Sequence, residues 1–445
     1  MTKFWGWASR NNGPLDIYEV LHDPTHENFL HLGRLLWSLV PVQPEWVHRK
    51  VESATLVGER RIRRHMSVDC HVPSEVTDLA GEVGFERFFV PLRFVMSQSL
   101  LNFDLVLDGQ AVPLLTRSQN IMATRAMLHA AAEQCDIDDA PEVRAILAEV
   151  ARADHPAERE ALALLGLGPQ PVDSGDEPIE QAMLRWAIRT FDRNYMLLAD
   201  VPLAAVQHRT VFKVTQEFYQ TISHNASGLL PVAEQVAWRP TPLIFNIPDV
   251  TSASSYHFEF IAPAGMIVDS GSLLARVEGE DVFFGTSTVL TTMGGINIHS
   301  EDVPQADSYT ATLRVRPSAE GLLRASAASA TISTLLLLVA AAGAHRLGDE
   351  GLGPSVTLLL VLPGLVSTFL ARPGEHSLVS FMLRGIRVLT LFSALLTYVA
   401  AGLLAMGVSG AALRLSWLGL AVVSMVPAVA LIGAVLSARR PYHPD

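Results

Sequence analysis

The stretch ASATISTLLLLVAAAGAH, residues 328–345, decides how this chain is read. It contains no Asp, Glu, Lys or Arg, and its 18 residues approach the ~20 that a helix needs to cross ~30 Å of hydrocarbon at ~1.5 Å per residue. Residues 355–371 (SVTLLLVLPGLVSTFLA), 388–408 and 415–436 repeat the pattern, again without an acidic or basic side chain. One such run could be a buried soluble helix. Four in succession predict a C-terminal four-helix transmembrane domain over residues 318–445.

Arginine placement gives the crossings a direction. Arg314, Arg316 and Arg324 precede the first run, Arg372, Arg384 and Arg387 separate the second from the third, and Arg439 and Arg440 follow the fourth. The two remaining loops hold Arg346 and Arg414. Basic residues near helix ends concentrate on the cytoplasmic side. The arrangement therefore predicts a multi-pass protein of the cell membrane with both N- and C-termini cytoplasmic. Residues 1–20, MTKFWGWASRNNGPLDIYEV, lack an apolar core with a small-residue cleavage site, so no signal peptide is expected and the two cysteines should stay reduced.

Inside the runs the polar content is hydroxyl, among them Ser333, Thr334, Ser367, Thr368, Ser393, Thr397, Tyr398 and Ser424. Proton relays, ion-coupled transporters and voltage sensors place ionisable groups there. Small residues four apart, as in Ser326/Ala330, Ser329/Ser333 and Ser393/Thr397, let helices approach closely. The expectation is a compact anchor, with a hydroxyl-lined or dewetting pore in an oligomer as the alternative. Pro363 and Pro427 are expected to kink their helices.

The 445 residues carry 33 basic and 45 acidic side chains. Most of that imbalance lies ahead of the membrane domain, where residues 1–316 hold 25 basic and 40 acidic side chains, net -15. Such a surface repels nucleic acid in bulk. Cys70 and Cys135 are far apart with no CxxC, against a disulfide scaffold or a cysteine zinc site. The basic set is 30 Arg to 3 Lys, as in a GC-rich genome.

The cytosolic region reads as α+β. Residues 1–45 form an N-terminal segment with a helix near 29–39 ended by Pro41, and residues 46–205 mix both element types. In the latter, strands are expected at 51–68, 87–94 and 102–107, with Asp108-Gly109 as a turn. Thr116-Arg-Ser-Gln119 has capping-box spacing for a helix to about residue 134. A second helix begins at Pro141, and a third spans 178–197 after the linker PQPVDSGDE. Residues 206–317 read as an antiparallel β-sandwich with strands at 208–219, 242–247, 254–262, 267–277, 281–291 and 308–316. Tyr256, Phe258 and Phe260 alternate with His257 and Glu259 as a half-buried strand requires. About nine residues, SAEGLLRAS, then lead into the first crossing.

Motifs for chemistry are sparse. No Walker A, complete dinucleotide fingerprint, nucleophile elbow, HExxH or EF-hand loop occurs. His22, His26 and His31, with Asp23 and Glu27, are the densest candidate metal cluster, but Pro24 breaks the helix that would align them. A solvated, pH-sensitive turn is the simpler reading. His257, Glu259, Asp269, His299 and Glu301 are spread over the sandwich, and Asn225-Ala-Ser227 is a chance glycosylation match. The basic run Arg60, Arg61, Arg63, Arg64 reads as a charged edge strand, or alternatively as a contact for anionic headgroups. No catalytic, cofactor-binding or metal-binding residue is assigned.

SSYHFEFIAPAGM, YTATLRVRPSAEGLLRAS and LPGLVSTFLARPGEHSL resemble stretches of uncharacterised multi-pass membrane proteins from GC-rich actinobacteria; the resemblance implies no activity. A sandwich ahead of four crossings is also similar in layout to pentameric ligand-gated channels, but the arginines here point the opposite way. The expected function is a membrane-anchored cytosolic binding or scaffold module. Its partners would be the lipid bilayer, a second copy of the chain through the helices, and a cytosolic protein. The alternatives are an oligomeric pore or effector gated by the cytosolic region, and a membrane-tethered enzyme.

Overall fold

The computed structural model describes residues 16–23, 27–57, 61–96, 101–152, 157–168, 178–219, 232–247, 250–277, 280–290, 294–301, 303, 306, 308–344, 353–371 and 377–439. An α+β N-terminal region with several sheets is followed by three C-terminal helices long and apolar enough to cross a membrane.

Helices α1 (Ile17–His22), α2 (Glu27–Leu39) and the single turn α3 (Gln43–Trp46) lead into the hairpin β1 (Val47–Leu56) and β2 (Arg61–Cys70). Next come α4 (Ser74–Val83), β3 (Arg87–Met96), β4 (Leu101–Leu107) and β5 (Gln110–Ala111). The turn between β4 and β5 takes positive φ at Asp108 (48°) and Gly109 (81°), as the Asp-Gly pair predicts. Four helices follow: α5 (Arg117–Gln134), α6 (Pro141–Arg152), α7 (Glu158–Leu164) and α8 (Ile179–Phe191). The capping box forms, with Gln119 N donating to Thr116 Oγ1 (3.4 Å) and Thr116 N to Gln119 Oε1 (2.7 Å). Gly33 of α2 lies so close to α5 that a Cβ would sit 2.2 Å from the Ala126 carbonyl oxygen.

Beyond α8 run β6 (Asn194–Pro202), the turn α9 (Leu203–Val206), β7 (Thr210–Tyr219) and the turn α10 (Val232–Gln235). The remaining strands are β8 (Thr241–Asn246), β9 (Tyr256–Ile261), β10 (Met266–Val277), β11 (Glu280–Phe284), β12 (Thr286–Leu290), β13 (Gly295–Ser300) and β14 (Ser308–Pro317). Helices α11 (Leu322–Gly343), α12 (Gly353–Leu370), α13 (Ser377–Met382), α14 (Arg384–Ala405) and α15 (Gly410–Arg439) complete the chain. α11, α14 and α15 are the three of spanning length; the apolar part of α12, Pro354–Leu370, is shorter. α12 and α15 continue through Pro363 and Pro427.

The strands build an eight-stranded sheet in the order β12-β13-β9-β1-β2-β7-β4-β5, a four-stranded sheet β11-β10-β14-β8 and the pair β3-β6. The large sheet takes strands from both sides of residue 205. β1 and β9 run parallel, while the strands of residues 206–317 pair with one another antiparallel. The chain changes sheet at Gly285, whose φ of 80° turns β11 into β12; the strand expected at 281–291 is therefore two. The expected strand at 51–68 is likewise a hairpin. The helix expected over 178–197 stops at Phe191, because Met196–Val201 are buried on both faces of β6, and such a strand shows no alternation.

Two apolar cores form around the sheets, and a third, smaller cluster around Leu337, Leu360, Ala400 and Trp417 lies among the helices. One packs α2, α5 and α8 around β3 and β6 and one end of the large sheet. The other lies between the four-stranded sheet and β9, β13 and the distal ends of β1 and β2. There Phe245 of β8 meets Phe258 and Phe260 of β9 with ring centroids 5.8 and 5.5 Å apart.

Candidate functional site at the junction of sheets and helices

The second core does not end at the sheets. Met266, Val268 and Val315 belong to one continuous apolar cluster with Leu323 and Ala327 of α11, Met382 of α13, Leu383 before α14, Ile386 of α14 and Leu431, Ala434 and Ala438 of α15. Polar contacts fix the same seam. Arg316, near the end of β14, is buried between the Asp269 carboxylate (2.6 Å) and the Ser437 carbonyl (2.8 Å). A bulge between Val268 and Ser270 accompanies Asp269 there. The Ser437 carbonyl is among the last four of α15, which have no acceptor role inside the helix, and a cation at a helix C-terminus is electrostatically favoured. Arg316 thus caps the final helix from within the sheet.

A strap, residues 232–239, crosses the seam. Gly385 of α14 lies against it so closely that a Cβ would stand 2.2 Å from the Gln235 carbonyl oxygen. The Trp238 indole donates to the Ala430 carbonyl (2.8 Å), and the Ser437 hydroxyl donates to the Trp238 carbonyl (2.9 Å).

Inside the helices, hydroxyls meet one another. Ser329 and Ser367 share a 2.7 Å bond between α11 and α12, and Thr334 and Ser424 share one of 2.7 Å between α11 and α15. Trp417 of α15 donates to the Ala400 carbonyl of α14 (3.0 Å). Thr390, Ser393 and Thr397 donate back to carbonyls of their own helix. Gly364 of α12 lies against the Tyr398 ring and the Thr397 hydroxyl.

Between the two apolar cores the inner face of the large sheet carries a buried polar belt. Lys50 is fully buried and hydrogen-bonds the Ser252 hydroxyl. Glu52 forms an ion pair with Arg64 (Nε to Oε1 2.9 Å) and accepts from the Tyr256 hydroxyl (2.9 Å), while Arg64 donates to the Asn246 carbonyl (2.7 Å). Burial, reinforced by the Glu52 charge, holds the Tyr256 phenol well above its ordinary pKa. An amine beside a hydroxyl can in principle activate a nucleophile, but Lys50 is enclosed and the pair ties β1 to the turn before β9.

The basic run is not on a sheet edge. β2 is an interior strand, with β1 and β7 on either side, so the edge-strand reading is corrected. Arg61 and Arg63 share one face, where both approach the Glu217 carboxylate (3.8 and 2.5 Å); Arg63 and Asn102 lower the Glu217 pKa by hydrogen bonding. Arg64 is on the opposite, buried face. Arg60 lies outside the described residues, as do His26 and Asn225. His22 and Asp23 are exposed at the end of α1. Among the described residues no cluster of three or more His, Cys, Asp or Glu suits a metal ion.

The structure does bring His257, His299 and Glu301 together. The two imidazoles stack at 4.1 Å on neighbouring strands β9 and β13, and His299 lies 3.3 Å from Glu301. Burial, then His299 and Arg49, lower the His257 pKa. Glu259 is one register step away opposite Asn297, and Asp269 belongs to the seam. Cys70 and Cys135 are free thiols; burial pushes Cys70 up to about 12. The sequence reading missed Glu52 and Trp238 and gave Lys50 no role, and it did not foresee that Tyr256 pairs with Glu52 or Asp269 with Arg316. The rarity of lysine was a usable signal for Lys50.

No model of a known protein family matches the chain, and no curated protein matches it.

Proposed function

We propose that this chain is a membrane-anchored cytosolic module for binding or scaffolding, in which the sheets and the helices act as one body. The observation that carries the reading is the continuous apolar cluster across the seam, closed by Arg316 and the strap. A chain built only to tether a soluble domain has no need to bury an ion pair between its last strand and its last helix. In this reading the four-stranded sheet and its facing strands form a β-sandwich, and α12 is a fourth span. Its 18 residues would reach about 27 Å at ~1.5 Å each. Arginine placement puts both ends in the cytoplasm. The hydroxyl pairs between helices support an anchor over a pore within one chain, since the groups that would line a pore bond one another.

Single cysteines at Gly348→Cys, Gly374→Cys and Ser409→Cys test this. A membrane-impermeant thiol reagent on intact cells should label the first and third and leave the second unlabelled. Labelling of Gly374→Cys, or loss of the intact chain from vesicles in alkaline carbonate, would overturn the four-span reading. Purified protein in planar bilayers should stay electrically silent; unitary currents would favour the gated pore.

A further inference from the structure

We infer that the rim of the bundle at its sheet end binds the headgroups of anionic phospholipids, with the strap 232–239 as the receiving surface. The inference rests on the membrane-anchored reading and names what that anchor recognises. The strap presents Trp238 at 47 % exposure and Val232 at 73 %, while Ala237 beside them is buried. Trp238 is pinned at a defined height. Its N–H is satisfied by Ala430, its ring edge faces Gly433, and Ile432 and Leu436 close the band of exposed apolar side chains on α15. A half-exposed indole with its polar end spent, level with the end of an apolar band, is the arrangement found where hydrocarbon gives way to headgroups.

Charge at that level is positive. Arg239 follows Trp238, Arg384 precedes the Gly385 that touches the strap, and Arg324 stands on the first turn of α11; all three are exposed. No ion pair within the described residues is formed by any of them. Among the described residues the carboxylates of the same rim are Glu234 and Glu320, and burial raises the pKa of Glu234, which weakens its hold on Arg239. Arg316 and Arg387 are turned inward, to Asp269 and to Ser380. The outward arginines are therefore available for phosphate oxygens, which guanidinium groups contact in a matched fork. At the opposite end α15 offers the exposed Arg414, with no aromatic strap among the described residues.

The test uses the full chain in neutral detergent, titrated with dioctanoyl-phosphatidylglycerol or dioctanoyl-phosphatidylcholine. Bound lipid is counted by native mass spectrometry and the unfolding temperature is followed in parallel. The glycerol lipid should bind saturably and raise the unfolding temperature, and the choline lipid should do neither. Arg239→Gln and Arg384→Gln should each weaken binding about fivefold, and the pair about 25-fold. Arg414→Gln should change nothing, and Arg324→Gln serves if the double variant fails to fold. Equal response to both lipids, an equal response to inorganic phosphate alone, or wild-type affinity in the double variant would overturn the inference. A chain that resists alkaline carbonate yet shows no preference for the anionic lipid loses this proposal and keeps its anchor.

Discussion

Three lysines in a chain with 30 arginines give weight to where each one sits, and Lys50 sits at full burial beside Glu52, Arg64 and Tyr256. Ion pairs in such places are weak sources of stability, because desolvation offsets attraction, but breaking one leaves an uncompensated charge. Arg64→Met is therefore expected to destabilise the protein by about 3–5 kcal/mol, and Glu52→Met placed on top of it to recover a substantial part. Denaturant unfolding of the two variants beside wild type measures both. Acid sensitivity also has a residue-level origin. Burial lowers the pKa of His129, packed edge-on against Phe29 with Arg125 and Arg144 nearby and Asp139 opposing them, and lowers that of His257. The unfolded chain takes up these protons first, near the ordinary value of 6.5. Their contribution is present above that pH and is lost as pH falls through 6.5 toward the lower folded values. The unfolding temperature should drop between about pH 7 and pH 5, and His129→Gln should flatten that slope.

At the scale of elements, close approach is set by glycine and hydroxyl. A side chain at Gly385 would occupy the space of the Gln235 carbonyl, so Gly385→Val should displace the strap and cost about 1–3 kcal/mol. Thermal unfolding in detergent reads the loss, and Gly402→Val, which meets open space on the same helix, is the control. Replacing Thr334 by Val and Ser424 by Ala should cost only about 0.6 kcal/mol each, the usual scale of an interhelical hydroxyl bond in a bilayer. These elements were unevenly legible. Apolar runs and alternation located α11, α14, α15 and β7 through β10, and the capping box located α5. β6 was hidden because both its faces are buried. β13 (GINIHS) was missed although Ile296 and Ile298 alternate, because the pattern spans only six residues with two apolar side chains beyond its glycine. Pairings escaped entirely. Nothing local says that β1 lies parallel to β9, some 200 residues away, or that His257 stacks on His299.

For the whole molecule the decisive question is whether the short segment between Pro317 and Leu322 is a tether or one thread of a larger seam. Residues 319–321 are at the surface, with Glu320 and Gly321 exposed, so a protease site inserted there can be cut without disturbing the core. If the segment were the sole connection, cutting it would release the sheets from the helices. The structure gives further connections: the apolar cluster, the Arg316 bond to Ser437, and Trp238 bonded to Ala430 and Ser437. The cut chain is therefore expected to elute from a sizing column in mild detergent as one particle, with both fragments present. Adding Arg316→Gln should leave Asp269 buried without its cation and bring the fragments apart at lower denaturant. Prompt separation of the cut wild-type halves would make the sheet region a passenger on the helices, and with it would go any mechanism in which binding at the sheets is felt by the bundle.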